Sequence, residues 1–263
     1  MSIQNMKQIP NIFTLLNLFF GCIAIVFILQ NGMVASTSDN GEMILMLPEK
    51  IYWASAFIGI AAVVDFLDGF VARLLKAGSE MGKQLDSLAD VVSFGVAPAM
   101  IVYQFLRLSF AQQEDGLEIS MAWLLPAFII PCAGAYRLAR FNIDTETSTG
   151  FKGVPIPAVG LLIASFPLIY WYAGNEIAIT LLLNQWFWFA FIAIISYLMI
   201  STLPMMALKF SDYSIKNNMP KYGLVAAAII SAFLLGWLAV PIIFIVYIIL
   251  SLVTKAPSNM AVQ

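Results

Sequence analysis

The chain has 263 residues, of which 61% are hydrophobic and 11% charged, with a formal net charge of −2. So few charges cannot cover the surface of a water-soluble globule, the net charge itself says nothing about ligands, and no nucleic-acid partner is expected. Histidine is absent, which excludes histidine triads, phosphohistidine intermediates and histidine-ligated zinc and leaves acid–base chemistry to carboxylates, Lys or Tyr.

A membrane-spanning helix needs about 20 mainly apolar residues, and such runs fall at 12–30, 51–75, 85–108, 121–142, 154–173 and 187–207. The stretch from Tyr222 to Val253 is too long for one span, and Gly236 with Pro241 interrupts it, which predicts a hairpin of two spans joined by a tight turn. The expectation is an all-α integral membrane protein of about eight spans. It forms one domain over 1–263, with a core at about 10–207 and a C-terminal hairpin at about 222–253. The first apolar run reads as a retained helix rather than a cleaved signal. Ser36 to Gly41 and Ser211 to Met219 read as ordinary loops, and no internal repeat is evident.

Alternating the spans across a bilayer sorts the cations. Lys7, Arg73, Lys76, Lys83, Arg137, Arg140, Lys152, Lys209, Lys216, Lys221 and Lys255 fall on one side, against Lys50 and Arg107 on the other. Cytoplasmic loops are the Lys- and Arg-rich ones, so both termini are expected in the cytosol. Cys22 and Cys132 lie within apolar runs and read as packed small hydrophobes. Trp186, Phe187 and Trp188 read as an interfacial aromatic belt.

Four carboxylates break the apolar pattern where breaking it is costly, at about 2.5–3.5 kcal/mol each. Asp65 and Asp68 lie three apart near the cytoplasmic end of the second span, and Asp86 and Asp90 lie four apart at the start of the third. Either spacing puts a pair on one helix face, and a short connection makes the two helices antiparallel neighbours whose faces can meet. Converging carboxylates repel one another unless cations sit between them, and an all-oxygen donor set selects hard divalent ions such as Mg²⁺, Mn²⁺ or Ca²⁺. Gly69, Ala72 and Gly82 leave the backbone beside the cluster open to a phosphate or nucleotide, and Arg73 suits a phosphate.

The stretch DFLDGFVARLLKAGSEMGKQLDSLAD carries the pattern D-x-x-D-G-x-x-A-R, eight residues, then G-x-x-x-D-x-x-x-D. This resembles the signature of the CDP-alcohol phosphotransferases, a family with a six-helix core. The resemblance implies a transferase in which Asp65, Asp68, Asp86 and Asp90 hold two Mg²⁺ or Mn²⁺ ions, with Ca²⁺ as a non-productive occupant. It further implies that Asp90 is the general base, that Asp68, Gly69, Ala72 and Gly82 border the CDP group, and that Arg73 holds a phosphate. A homodimer in the bacterial cytoplasmic membrane, with its active site facing the cytosol, is implied as well.

The segments IPNIFTLLNLFFG, SLADVVSFGVAPA, YRLARFN and FKGVPIPA resemble the branch of that family whose substrates are CDP-diacylglycerol and L-serine. On that resemblance Asn11, Thr14 and Asn17 lie near the nucleotide. Arg137, Arg140 and Lys152 would form a cationic rim for the serine carboxylate, with Asn142 as a further contact. The same cations also suit headgroup anchoring, or acceptors such as glycerol 3-phosphate or inositol phosphate. An aspartate-lined cation transporter is the reading from another class, and it leaves the glycine and Arg73 positions without a purpose.

Overall fold

The computed structural model describes residues 9–37, 41, 43–75, 77–113, 116–143, 151–206 and 215–254. Lys7, Lys76, Lys209 and Lys255, used above to orient the chain, lie outside them, as do residues 211–214 of the stretch 211–219 read as loop; its remainder, 215–219, is helical instead.

The first helix, α1 (Ile9–Gln30), buries Pro10, Thr14, Asn17, Gly21, Ala24 and Ile28, a stripe at intervals of three and four residues. Its first half offers polar groups and its second half small and apolar ones. This stripe packs along α2 (Tyr52–Leu74), which buries Ala54, Ser55, Ile58, Ala61 and Asp68 on the facing side. Between α1 and α2 the expected loop holds an antiparallel hairpin, β1 (Val34–Thr37) with β2 (Met43–Met46). Ser36 therefore belongs to a strand: the β-branched and apolar residues on either side of the polar turn pair with each other.

After α2 the chain turns and restarts at Ser79, whose hydroxyl accepts the Gly82 amide at 3.0 Å and caps α3 (Glu80–Asp90). Asp90 is the last residue of α3. The chain then runs through one wide π-helical turn, Val91–Val96, into α4 (Ala97–Ala111). π-turns recur at functional sites because the added residue re-aims the flanking faces. Here small residues hold the turn: a Cβ added to Gly160 would meet the Phe94 backbone at 2.9 Å, and one added to Gly21 would collide with Ser93.

Helix α5 (Ile129–Ile143) follows two 3₁₀ turns, and α6 (Ile156–Tyr172) begins behind Pro155. The short α7 (Glu176–Leu182) meets α8 (Gln185–Ile200) at an angle of 77°. Strands β3 (Phe151–Lys152) and β4 (Pro204–Met205) pair antiparallel, pinning the approach to α6 against the exit of α8. Last come α9 (Ile215–Leu235) and α10 (Ala239–Thr254), which pack on each other. Gly236 lies between them at φ +54°, a conformation that ends a helix.

The protein is all-α apart from these strand pairs. Among the described residues, five helical runs are long and apolar enough to cross a membrane, or six if α7 with α8 counts as one. The run Asn218–Thr254, which contains the Gly236 break, is one of them, and α6 is a shorter apolar helix outside that tally.

The core gathers around α4. Trp188 is fully buried, stacks on Phe105 at 5.3 Å and donates its indole N–H to the Leu182 carbonyl at 2.9 Å. The aromatic-belt reading therefore fails for Trp188: the sharp α7–α8 corner leaves a helix-end carbonyl for the indole to satisfy. Trp186 stays exposed. Cys22 and Cys132 are free thiols on exposed helix faces, so they do not pack inside the protein as expected. They occupy the outward sides of α1 and α5, where an apolar exterior suits a small hydrophobe as well as a core does.

Candidate active site

The antiparallel α2 and α3 bring their acidic faces together. One carboxylate oxygen from each of Asp65, Asp68 and Asp86 lies within 4.8 Å of the other two. Ligands 2.0–2.6 Å from a common cation stand at most about 4–5 Å apart, so this triad is dimensioned for a hard divalent ion. Asp90 completes the group, with its carboxyl within hydrogen-bond reach of Asp65.

Helix α1 supplies the hydrogen bonds that aim two of these carboxylates. Thr14 donates its hydroxyl to Asp68 Oδ2 at 2.8 Å, and the Asn17 amide donates to Asp90 Oδ1 at 3.5 Å. Ser93, in the π-turn, donates to the Asn17 carbonyl at 3.0 Å and so ties α1 to the segment that follows Asp90. The Asn17 side-chain oxygen is buried without a partner. Both Thr14 and Asn17 are buried, which fits the site role suggested for them and rules out solvent as the reason for their polarity.

Two cavities flank the carboxylates, with Lys83 and Asp86 in both walls. The first, about 250 Å³, lies between α1, the end of α2 and the start of α3, and is lined by Asn11, Thr14, Asp68, Gly69, Ala72, Gly78, Ser79, Gly82, Lys83 and Asp86 among others. Each residue expected at the nucleotide therefore borders this space except Asn17, which turns to Asp90, and Arg73. The latter is exposed on the last turn of α2 beside Gly69. The two glycines differ in kind. A Cβ on Gly82 would press on Asn11 Oδ1 at 2.9 Å, whereas one on Gly69 would touch only Arg73 Nη1 at an ordinary 3.5 Å. Packing within the protein thus explains Gly82 but not Gly69, and Gly69 faces the cavity.

The second cavity, about 490 Å³, is lined by Asp65, Phe66, Lys83, Asp86, Ser87, Asp90, Arg137, Asn142, Met206 and Tyr247 among others. Of the three cations expected to form a rim, only Arg137 borders it. Its guanidinium is buried at 6% exposure, and its Nε has no hydrogen-bond partner. Arg140 turns away, donating to the Ile200 and Ser201 carbonyls at 2.7 and 2.9 Å, because the C-terminal end of α8 leaves those acceptors unsatisfied. Lys152 sits in β3, on the strand pair rather than in the cavity wall. Asn142 is chiefly a tether, accepting Lys83 Nζ on its carbonyl at 3.0 Å and donating to Ser87 Oγ at 2.7 Å. Lys83 is thereby turned toward α5.

The sequence reading missed Tyr247 and Met206. Tyr247 had a signal: it and Ser251 are polar residues four apart, hence on one face, in the otherwise apolar α10. Met206 had none, since only the β3–β4 pairing brings it here.

The CDP-alcohol phosphatidyltransferase family profile matches residues 7–196. The chain is 30% identical over 209 residues to a CDP-diacylglycerol–serine O-phosphatidyltransferase of Helicobacter pylori, covering 77% of this chain and 73% of that one. It is 30% identical over 266 residues to the Mycobacterium leprae protein of the same name, covering 96% and 74%. The Methanocaldococcus jannaschii protein of that name is 42% identical over 123 residues, covering 46% of this chain and 54% of that one. A site in which a hard-ion triad divides two cavities, on a chain with these relatives, belongs to the CDP-alcohol phosphatidyltransferase family.

Proposed function

We propose that this protein is a phosphatidylserine synthase, transferring the phosphatidyl group of CDP-diacylglycerol to the hydroxyl of L-serine and releasing CMP. The observation that carries the reading is the pair of cavities on either side of one carboxylate cluster: one bordered by Gly69 and Gly82, the other by the buried Arg137. A nucleotide fits the first, where small residues let its phosphates approach the backbone. A small anionic acceptor fits the second, where a buried guanidinium carries an unpaired Nε. Arg140 is engaged at the end of α8, and of the two cations in this wall, Lys83 and Arg137, Lys83 donates to the Asn142 carbonyl.

In this mechanism Asp65, Asp68 and Asp86 hold Mg²⁺ or Mn²⁺, with Asp90 contributing to a second ion. Metal bound there supplies charge neutralisation for the pyrophosphate and the departing CMP. Asp90, aimed by Asn17, takes the proton from the serine hydroxyl, and Arg137 turns the serine so that this oxygen faces the lipid-linked phosphorus. Thr14 fixes the rotamer of Asp68 on the nucleotide side, and Arg73, beside Gly69, takes a phosphate. The resemblance to the family further supports a homodimer in the bacterial cytoplasmic membrane, while the apolar runs and the sorting of the cations support about eight spans, cytosolic termini and a site open to the cytosol.

The test is CMP release by purified protein from CDP-diacylglycerol with Mg²⁺ or Mn²⁺, offering L-serine, glycerol 3-phosphate and inositol phosphate separately. Release with serine alone is expected. Release with another acceptor would keep the aspartate chemistry and remove serine, and ion flux without CDP-lipid would favour a transporter.

A further inference from the structure

The family profile stops at residue 196, yet the second cavity is closed by residues beyond it. Met206 and Tyr247 line that cavity, and three hydrogen bonds clasp them together. Tyr247 donates its phenol to the Met206 carbonyl at 3.1 Å, the Met206 amide donates to Ser251 Oγ at 3.1 Å, and Ser251 donates to the Tyr247 carbonyl at 2.7 Å. All three residues are buried.

This clasp does more than attach α10. Buried hydroxyls in an apolar helix are costly unless they are satisfied, and a Phe at 247 would fill the same volume with no such requirement. The phenol proton is committed to Met206, so what Tyr247 Oη retains is acceptor capacity. Arg137 is a donor-only group that borders the same cavity and interacts electrostatically with Tyr247, Arg140 and Asp90. Arg140 is fixed on α8, and Asp90 belongs to the carboxylate cluster. Tyr247 is therefore the neutral oxygen that α10 brings to the cavity it shares with the guanidinium.

We propose that α10 is part of the acceptor site and that Tyr247, locked by Met206 and Ser251, is a positioning residue that holds Arg137 toward the acceptor carboxylate. The proposal rests on the serine-accepting reading above and deepens it. It assigns acceptor affinity to a helix that the shared family region does not contain.

The experiment measures kcat and KM for L-serine and for CDP-diacylglycerol with the full chain and its Tyr247→Phe, Ser251→Ala, Arg137→Lys and Arg137→Lys/Tyr247→Phe variants. Losing one hydrogen-bonding oxygen predicts that Tyr247→Phe raises the serine KM about tenfold, with kcat held within about twofold and the CDP-diacylglycerol KM unchanged. Ser251→Ala shifts the serine KM in the same direction by less. Since Tyr247 acts through Arg137, the double variant has the serine KM of Arg137→Lys alone to within about twofold. An unchanged serine KM in Tyr247→Phe, multiplicative effects in the double variant, or an equal loss of kcat and of both affinities would each overturn the proposal and leave α10 a structural wall. If the unsubstituted protein releases no CMP with serine, the serine-accepting reading itself fails, and this inference with it.

Discussion

Gly69→Ala separates a glycine kept for the fold from one kept for a ligand. The residue lies inside α2, and an added Cβ would meet Arg73 Nη1 at 3.5 Å, an ordinary contact with the end of a flexible side chain. Within the protein the methyl costs nothing in packing, and removing a helical glycine stabilises by about 0.5–1 kcal/mol. In a protein of this size that raises the melting temperature by about 1–4 °C. The same methyl projects at the cavity of about 250 Å³ beside Asp68. Overfilling a fitted site costs about 1–3 kcal/mol, which is a loss of CDP-diacylglycerol affinity of about fivefold to 150-fold. Thermal unfolding of the purified variant in detergent and the KM for CDP-diacylglycerol in the CMP-release assay read the two effects separately. A variant that is stabilised and retains its CDP-diacylglycerol KM would refute the placement of the nucleotide against Gly69. A destabilised variant would refute the reading of the local packing.

Asp90→Asn keeps the shape of the side chain and removes the base, so turnover should fall to background while CDP-diacylglycerol binding by the purified protein persists. Chelation should abolish CMP release, with recovery on adding Mg²⁺ or Mn²⁺ and with Ca²⁺ restoring lipid-nucleotide binding but not turnover. The two arginines should part company. Arg140→Ala removes two hydrogen bonds to the end of α8 and should lower stability by about 2 kcal/mol with the serine KM little changed, whereas Arg137→Lys should raise the serine KM at nearly unchanged stability.

The carboxylate cluster was legible in the sequence because helical periodicity is local. Residues three and four apart share a face, and a short connection forces α2 and α3 to run antiparallel, so Asp65, Asp68 and Asp86 converge whatever surrounds them. The membrane class was equally legible, since a chain with so few charges has no other solvent to fold in. Thr14 and Asn17 could be placed near the site by resemblance, but not given their separate partners. That depends on how α1 is rotated against α2, which Gly21 and Ser93 settle by close contact.

The cationic residues show where local reading stops. Arg137 and Arg140 lie three apart on one helix and look equivalent in sequence, yet one borders the acceptor cavity and the other caps α8. Their difference comes from which unsatisfied carbonyls the end of a distant helix leaves within reach. Trp188 differs from Trp186 for the same kind of reason, having a helix-end carbonyl to bind inside the α7–α8 corner. Tyr247 reaches the cavity only because α10 folds back over β4. By itself the sequence determined the solvent, the helices and the acidic face, all set by composition and by spacing within one or two turns. Which polar side chain faces which cavity was decided by tertiary structure alone, because each buried donor or acceptor must find its partner among segments far apart in the chain.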